Sequence, residues 1–348
     1  MTYLKGTLHM SLFLNNNCGT DYLSKENTAC LKGLCAVGVL VHHLYQYSRL
    51  VQNIYLGALL QALGFLMVAL FFFLSGYGLQ VSFQRDPDTY LKGFMRQRVV
   101  PYYLIIVILI AIYSFAVILI ESGIDYILVI RSFFFSETIV ANGWYLQVQL
   151  LLYFAFYGIN RLWKSSRIKK IVLFACLLVY ALVLMAKDFG PTRYVGTFAF
   201  LIGIIWAENK KRIDVHLNNK PNTVIIYALA FASFVVFFLL WGLTDGYISI
   251  FFQMICESLF VVCIILCLRF IPINCFVTRF LGRISLGIYV VQGIFLKAFR
   301  SELVNIENGW LYVALVCLGT FLGGGVLTPL FEKIYLLFRI KKNVREAE

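Results

Sequence analysis

Charge is what this sequence has least of. Asp, Glu, Lys and Arg make up 14% of its 348 residues, against roughly a quarter in soluble domains. Also missing is any Cys-x-x-Cys pair or Cys/His metal spacing among the nine scattered cysteines. That excludes a disulfide framework and a zinc-type site. Cys263 and Cys267 are helix neighbours and read as small apolar packing residues. The first 28 residues carry Lys5 but no continuous apolar core running into a small-residue cleavage site, so a cleaved signal is not expected. No polar connection exceeds about 20 residues, and there is no internal repeat or low-complexity segment. No appended soluble or signalling domain is therefore expected.

What fills the chain instead is apolar. It is 61% hydrophobic and 17% aromatic, with a mean hydropathy of +0.83. Ten apolar stretches reach or approach spanning length, near 31–48, 60–82, 99–120, 144–163, 168–186, 194–207, 223–243, 248–270, 284–299 and 310–338. A span needs roughly 20 residues, with 17–25 the usual range, so the sixth is short. The expected fold is all-α, a polytopic membrane bundle of about ten transmembrane helices. Residues 1–28 form an N-terminal cytoplasmic or interfacial segment, with 3–14 lying along the interface. Residues 29–338 form the transmembrane domain and 339–348 a basic cytoplasmic tail.

The net charge of +13 invites a nucleic-acid reading, and its distribution removes it. With ten spans, the termini and alternate loops hold 24 of the 30 Lys and Arg, while the opposite loops hold six: Arg49, Arg131, Lys187, Arg193, Lys297 and Arg300. Short loops rich in Lys and Arg stay cytoplasmic, which puts both termini in the cytoplasm. The same charges favour anionic lipid heads. Membrane lipids are thus expected partners, and nucleic acid is not.

Ionisable side chains within such spans are functional candidates by default. Lys32 and His43 lie eleven residues apart on the first span. At about 100° and 1.5 Å per residue they share one face, with His43 roughly 16 Å further along, near the middle of the hydrocarbon layer. Neutral imidazole suits a general base, and an interhelical hydrogen bond is the plainer alternative. His42 points about 100° away, so only one of the two is expected to face a given cavity. Glu257 interrupts the eighth span with Gln253 one turn before it. Such a carboxylate can hold a proton, orient a histidine, bind sugar hydroxyls, or simply tie two helices together.

Ser75, Gly76 and Tyr77 close the run Phe71-Phe72-Phe73-Leu74, where small residues admit a close backbone or a narrow ligand. Lys92, Arg96 and Arg98 cluster at the cytoplasmic mouth of the third span. They suit phosphates of a nucleotide or coenzyme A, or are ordinary cytoplasmic charge. Trp144 opens the fourth span, placed to stack a sugar ring or to anchor at the interface.

Taken together, these segments resemble the acyltransferase-3 family of bacterial membrane acyltransferases. Lys32, ten residues and His43 look like its first-span motif. Phe72-Phe73-Leu74-Ser75-Gly76-Tyr77 resembles its second-span signature, and Arg98-Val99-Val100-Pro101-Tyr102 and Trp144-Tyr145-Leu146 its third and fourth. Phe200-Leu201-Ile202-Gly203 and the run Leu281 to Tyr289 resemble later landmarks. The chain departs from the family at two points. Met95 stands where relatives carry a second arginine, with Arg96 offset from it, and Gln292 stands near a position many relatives fill with histidine.

The resemblance implies transfer of an acyl group, usually acetyl, from cytosolic acyl-coenzyme A to a hydroxyl of a cell-surface or lipid-linked carbohydrate. The enzyme would sit in the cytoplasmic membrane of a bacterium and hold no permanent cofactor. Lys32, Lys92, Arg96 and Arg98 would receive the coenzyme, with its arm passing Ser75, Gly76 and Tyr77. His43, with His42 as substitute and Glu257 in support, would act on the acceptor, and Trp144 and Gln292 would line its site. Direct transfer and an acyl-histidine intermediate both remain open. A transporter or flippase using His43 and Glu257 as a proton relay is the reading from another functional class.

Overall fold

The computed structural model describes residues 21–121, 123–134, 137–218 and 220–339. The expected interfacial run 3–14 and the tail beyond Arg339 lie outside these. The described residues contain no strand and form eleven helices: α1 (Lys25–Ser48), α2 (Ile54–Arg85), α3 (Pro87–Glu121), α4 (Tyr126–Ser132), α5 (Trp144–Leu162), α6 (Ser166–Ala186), α7 (Phe198–Leu217), α8 (Lys220–Leu243), α9 (Gly246–Cys267), α10 (Phe276–Ala298) and α11 (Gly309–Leu337). Ten of them overlap the ten apolar stretches. The eleventh, α4, is a two-turn helix in the connection that leads to α5.

Eight of the helices are long and apolar enough to cross a membrane. The two long ones that fall short do so for visible reasons. α5 has 19 residues and carries Gln147, Gln149, Asn160 and Arg161. α7 is apolar only in its first half, and Glu208 to Arg212 make the second half polar. The expected sixth span, 194–207, needs correction here. Residues 191–197 wind into two short 3₁₀ turns, and the helix proper begins at Phe198 and runs to Leu217.

Local chemistry sets the helix ends. The Ser24 hydroxyl accepts from the Asn27 amide to start α1, and Asn53 and Asn308 cap α2 and α11 with their side-chain oxygens. Asp86 caps α3, with Pro87 in the first helical position. Within α3, Met95–Val99 forms one π-helical turn. Such an insertion re-aims the side chains beyond it. Phe94 and Val99 are both buried across it, while Arg96 faces out.

α1 lies between α2 and α10; α2 packs on α7, α10 on α11, and α9 on α8. Lipid tails supply no hydrophobic drive between spans, so close van der Waals contact decides these pairs. The tightest case joins α2 to α7. A Cβ on Gly76 would overlap the Phe200 carbonyl, and one on Gly203 would overlap that of Phe73. Only glycine permits the two backbones to touch there. The α1/α2, α6/α7, α8/α9 and α10/α11 turns gather at one end of the bundle, with the segment leading into α5. The turns that carry most of the basic residues gather at the other.

Candidate active site

The last turns of α1 meet the first turns of α2 and the segment leading into α5 around an open cavity of about 650 Å³. His43 projects into it between two partners. Nδ1 lies 3.0 Å from the Gln46 side-chain oxygen and Nε2 2.9 Å from the Asn142 amide nitrogen. Gln46 in turn donates its amide to Gln61 at 3.1 Å. The consistent assignment has Nδ1–H donating to Gln46 while Nε2 accepts from Asn142, so the Nε2 lone pair is engaged by an amide at the cavity wall.

Asn142 has φ +58°, a left-handed conformation that asparagine tolerates better than most residues. Its carbonyl accepts from the Tyr289 hydroxyl at 3.0 Å. The histidine is thus tied through one relay to α2 and α10.

His42 lines the same cavity, contrary to the expectation that only one of the pair faces it. The two rings lie 4.8 Å apart, and the cavity wraps the end of α1 rather than meeting one stripe of it. The Nδ1–H of His42 donates to the Leu60 carbonyl at 3.0 Å, and Gly64 leaves room for its ring.

Glu257 reaches the cavity from α9. Its Oε1 accepts from Gln253 at 2.8 Å, its Oε2 has no hydrogen-bond partner, and the residue is 1% exposed. No hydrogen bond joins Glu257 to either histidine among the described residues. Trp144 lines the same cavity. Gln292, one turn beyond Tyr289, does not. It is fully buried inside the bundle, where its amide donates to the Tyr289 carbonyl.

The second cavity, of about 500 Å³, opens at the basic end and is lined by Asp86, Tyr90, Phe94, Gln97 and Arg98 among others. Arg98 points inward, and Tyr90, Tyr153 and Tyr335 stand close enough to interact with its charge. The Lys32 ammonium is near enough for Arg98 to repel it. Lys32, Arg98, Tyr153 and Tyr335 are half-buried, and of the four Arg98 lines this cavity. Ser75 faces Tyr153 on this side.

The other expected donor residues lie elsewhere. Gly76 and Tyr77 sit on the far side of α2, Gly76 against the α7 backbone and Tyr77 stacked on Phe73. Lys92 and Arg96 are exposed on the surface outside the cavity. Between the cavity at the basic end and the histidines stands an aromatic cluster. Tyr145 lies 5.1 Å from Tyr289, 5.7 Å from Phe71 and 5.0 Å from Phe72, ring to ring.

A polar network at the basic end fixes the chain just before α1. The Tyr22 hydroxyl donates to Asp214 at 2.9 Å and accepts from the Trp206 indole at 3.2 Å. Lys210 bridges Asp214 and Asp21, and Arg269 bonds Asp214 at 2.7 Å. Burial works against the Lys210 ammonium, but hydrogen bonds to the two aspartates outweigh it and hold its pKa above the ordinary lysine value. Desolvation raises that of Tyr22.

Sequence reasoning did not single out Gln46, Gln61, Asn142 or Tyr289 as site residues. The one available signal was the Asn-Gly pair at 142–143, next to Trp144.

A family model described as an acyltransferase domain matches residues 29–328. No curated protein and no solved structure matches the chain.

Proposed function

The chain belongs to the acyltransferase-3 family, and on that premise we propose that it moves an acetyl group from cytosolic acetyl-coenzyme A to a hydroxyl of a cell-surface or lipid-linked carbohydrate. The observation that carries this reading is the wiring of His43. Its Nδ1 is satisfied by Gln46, while Nε2 accepts at the cavity wall from an amide that a substrate hydroxyl can displace.

Donor phosphates engage Arg98 and Lys32 from the basic end, where a forked guanidinium suits them. The acceptor enters the opposite cavity, its ring against Trp144 and a hydroxyl on the unpartnered Oε2 of Glu257. Nε2 of His43 takes the proton of the attacking hydroxyl as its oxygen adds to the thioester carbonyl. The tetrahedral intermediate collapses with loss of the coenzyme sulfur, which takes the proton back from Nε2. An ester and free coenzyme A result.

The test is purified protein in detergent, supplied with acetyl-coenzyme A and glycan from the producing cells, with release of free thiol as the readout. Loss of a general base typically costs 10²–10⁴-fold. His43→Ala is expected to fall by that factor while accumulating normally in the membrane. Wild-type rates in that variant would remove His43 from the mechanism.

A further inference from the structure

Two residues on facing helices, Gln149 of α5 and Tyr102 of α3, leave polar atoms stranded between the two cavities. Tyr145, Gln149 and Tyr153 follow one another at intervals of four along α5. They form one stripe about 12 Å long. One end touches the histidine cavity, since Tyr145 lies 5.1 Å from Tyr289, which lines it. The other end touches the basic cavity, since Tyr153 lies 6.1 Å from Phe94, which lines that one. Across from the stripe, Tyr102 of α3 lies one turn beyond Arg98, its ring 5.3 Å from that of Tyr153.

Among the described residues, Nε2 of Gln149 and the hydroxyl of Tyr102 are buried and have no hydrogen-bond partner. The residues are 2% and 5% exposed. The one contact Gln149 makes through its side-chain oxygen, to the Tyr145 hydroxyl, is stretched to 3.5 Å. Buried amides and hydroxyls are nearly always paired, and an unpaired one is costly. Two such donors in one file, between a phosphate-binding cation and a histidine, call for a ligand bearing acceptors at intervals.

We propose that Tyr145, Gln149 and Tyr153, with Tyr102 facing them, form the track along which the amide-bearing arm of the acyl-coenzyme A donor runs from Arg98 toward His43. The proposal rests on the acyltransferase reading above. Gln149, nearer the histidine, donates to the carbonyl of the amide closest to the thiol. Tyr102, nearer Arg98, donates to the second. The track runs on α5 and α3 rather than past the glycine of α2, because the α7 backbone covers Gly76.

The experiment uses Gln149→Met and Tyr102→Phe in the full chain, each removing the polar atom while nearly keeping the shape. One hydrogen bond contributes about 0.5–1.5 kcal/mol, which is roughly 2- to 13-fold. Each variant is expected to raise the KM for acetyl-coenzyme A by that factor. The KM for acceptor should not change, and the melting temperature should hold or rise, because an unpaired buried group has gone. With S-acetyl-N-acetylcysteamine, which keeps only the amide nearest the thiol, the Tyr102→Phe defect should vanish and the Gln149→Met defect persist.

An acetyl-coenzyme A KM at the wild-type value in both variants overturns the track and leaves the acyltransferase reading standing. Wild-type protein that neither binds coenzyme A nor releases it fails the underlying reading instead. If Gln149→Met accumulates poorly, Tyr102→Phe, one oxygen smaller, carries the test alone.

Discussion

At the scale of single residues, the catalytic proposal turns on what holds His43 in place, and Asn142 is the informative partner. Its amide meets Nε2 at 2.9 Å, and its backbone sits at φ +58°. Two substitutions separate these roles. Asn142→Ala loses the amide and also carries the left-handed cost of roughly 1–2 kcal/mol; Asn142→Gly loses the amide alone. Because the acceptor hydroxyl displaces that amide in the proposed mechanism, Asn142→Gly is expected to keep kcat/KM within about twofold of wild type, and only the alanine variant should melt earlier. A loss of about 2- to 13-fold in the glycine variant, the value of one hydrogen bond, would mean that the amide stays on Nε2 and is not displaced. His43, Glu257 and Trp144, which line the cavity, stand out in the sequence because ionisable groups and tryptophan are conspicuous in apolar helices. Asn142, Gln46 and Gln61 do not, because polar residues at helix ends and turns are ordinary, and neither a positive φ nor a relay across three elements leaves a mark in composition. The angular rule that set His42 aside failed for a related reason. It describes one helix, whereas the cavity is built by several.

At the scale of helices, the ten long elements were readable from apolar length, but their pairing was not. Helices apolar on all sides carry no stripe to say which neighbour they meet. Contacts such as Gly76 with the Phe200 carbonyl make that choice, and they depend on which glycines come face to face. The same contact separates Gly76 from Ser75. Gly76→Val is expected to cut the amount of folded protein sharply, because Cβ meets backbone that cannot yield, while the KM for donor in the folded fraction stays near wild type. A donor-binding glycine would give the reverse pattern. The π turn at Met95–Val99 was also invisible to a reading in steps of 3.6 residues, and it sends Arg96 outward and Arg98 in. At the basic end, the Tyr22–Asp214–Lys210 network ties the start of α1 to α7. The folded state holds the Lys210 ammonium above its ordinary pKa, so its contribution is complete below that value, about 10.4, and is lost as pH rises through the folded one. Melting curves should show a margin of wild type over Lys210→Met at neutral pH that shrinks in strong alkali. A margin independent of pH would mean that the lysine acts through packing alone.

Across the whole molecule, two cavities open at opposite ends of one bundle, with an aromatic cluster between them. If the basic end faces the cytoplasm, as charge bias leads one to expect, the proposed donor and acceptor would reach the reaction from opposite sides of the membrane. That arrangement makes sidedness measurable. In sealed inside-out vesicles, acetyl-coenzyme A added outside should acetylate acceptor trapped within. In sealed right-side-out vesicles the same addition should do nothing until the membrane is permeabilised, because the coenzyme does not cross it. Equal transfer in both sealed preparations would contradict a donor site at the basic end. The same assay ranks the arginines by position. A hydrogen bond to a charged group is worth about 1.5–3 kcal/mol. Arg98→Ala, which removes the guanidinium from the cavity at the basic end, should therefore raise the KM for donor by roughly 10- to 150-fold. Arg96→Ala, on the exposed surface, should change it about twofold or less, since exposed charges are screened by solvent and salt. An equal loss at both positions would mean that surface charge attracts the donor and that the inward guanidinium does not hold it.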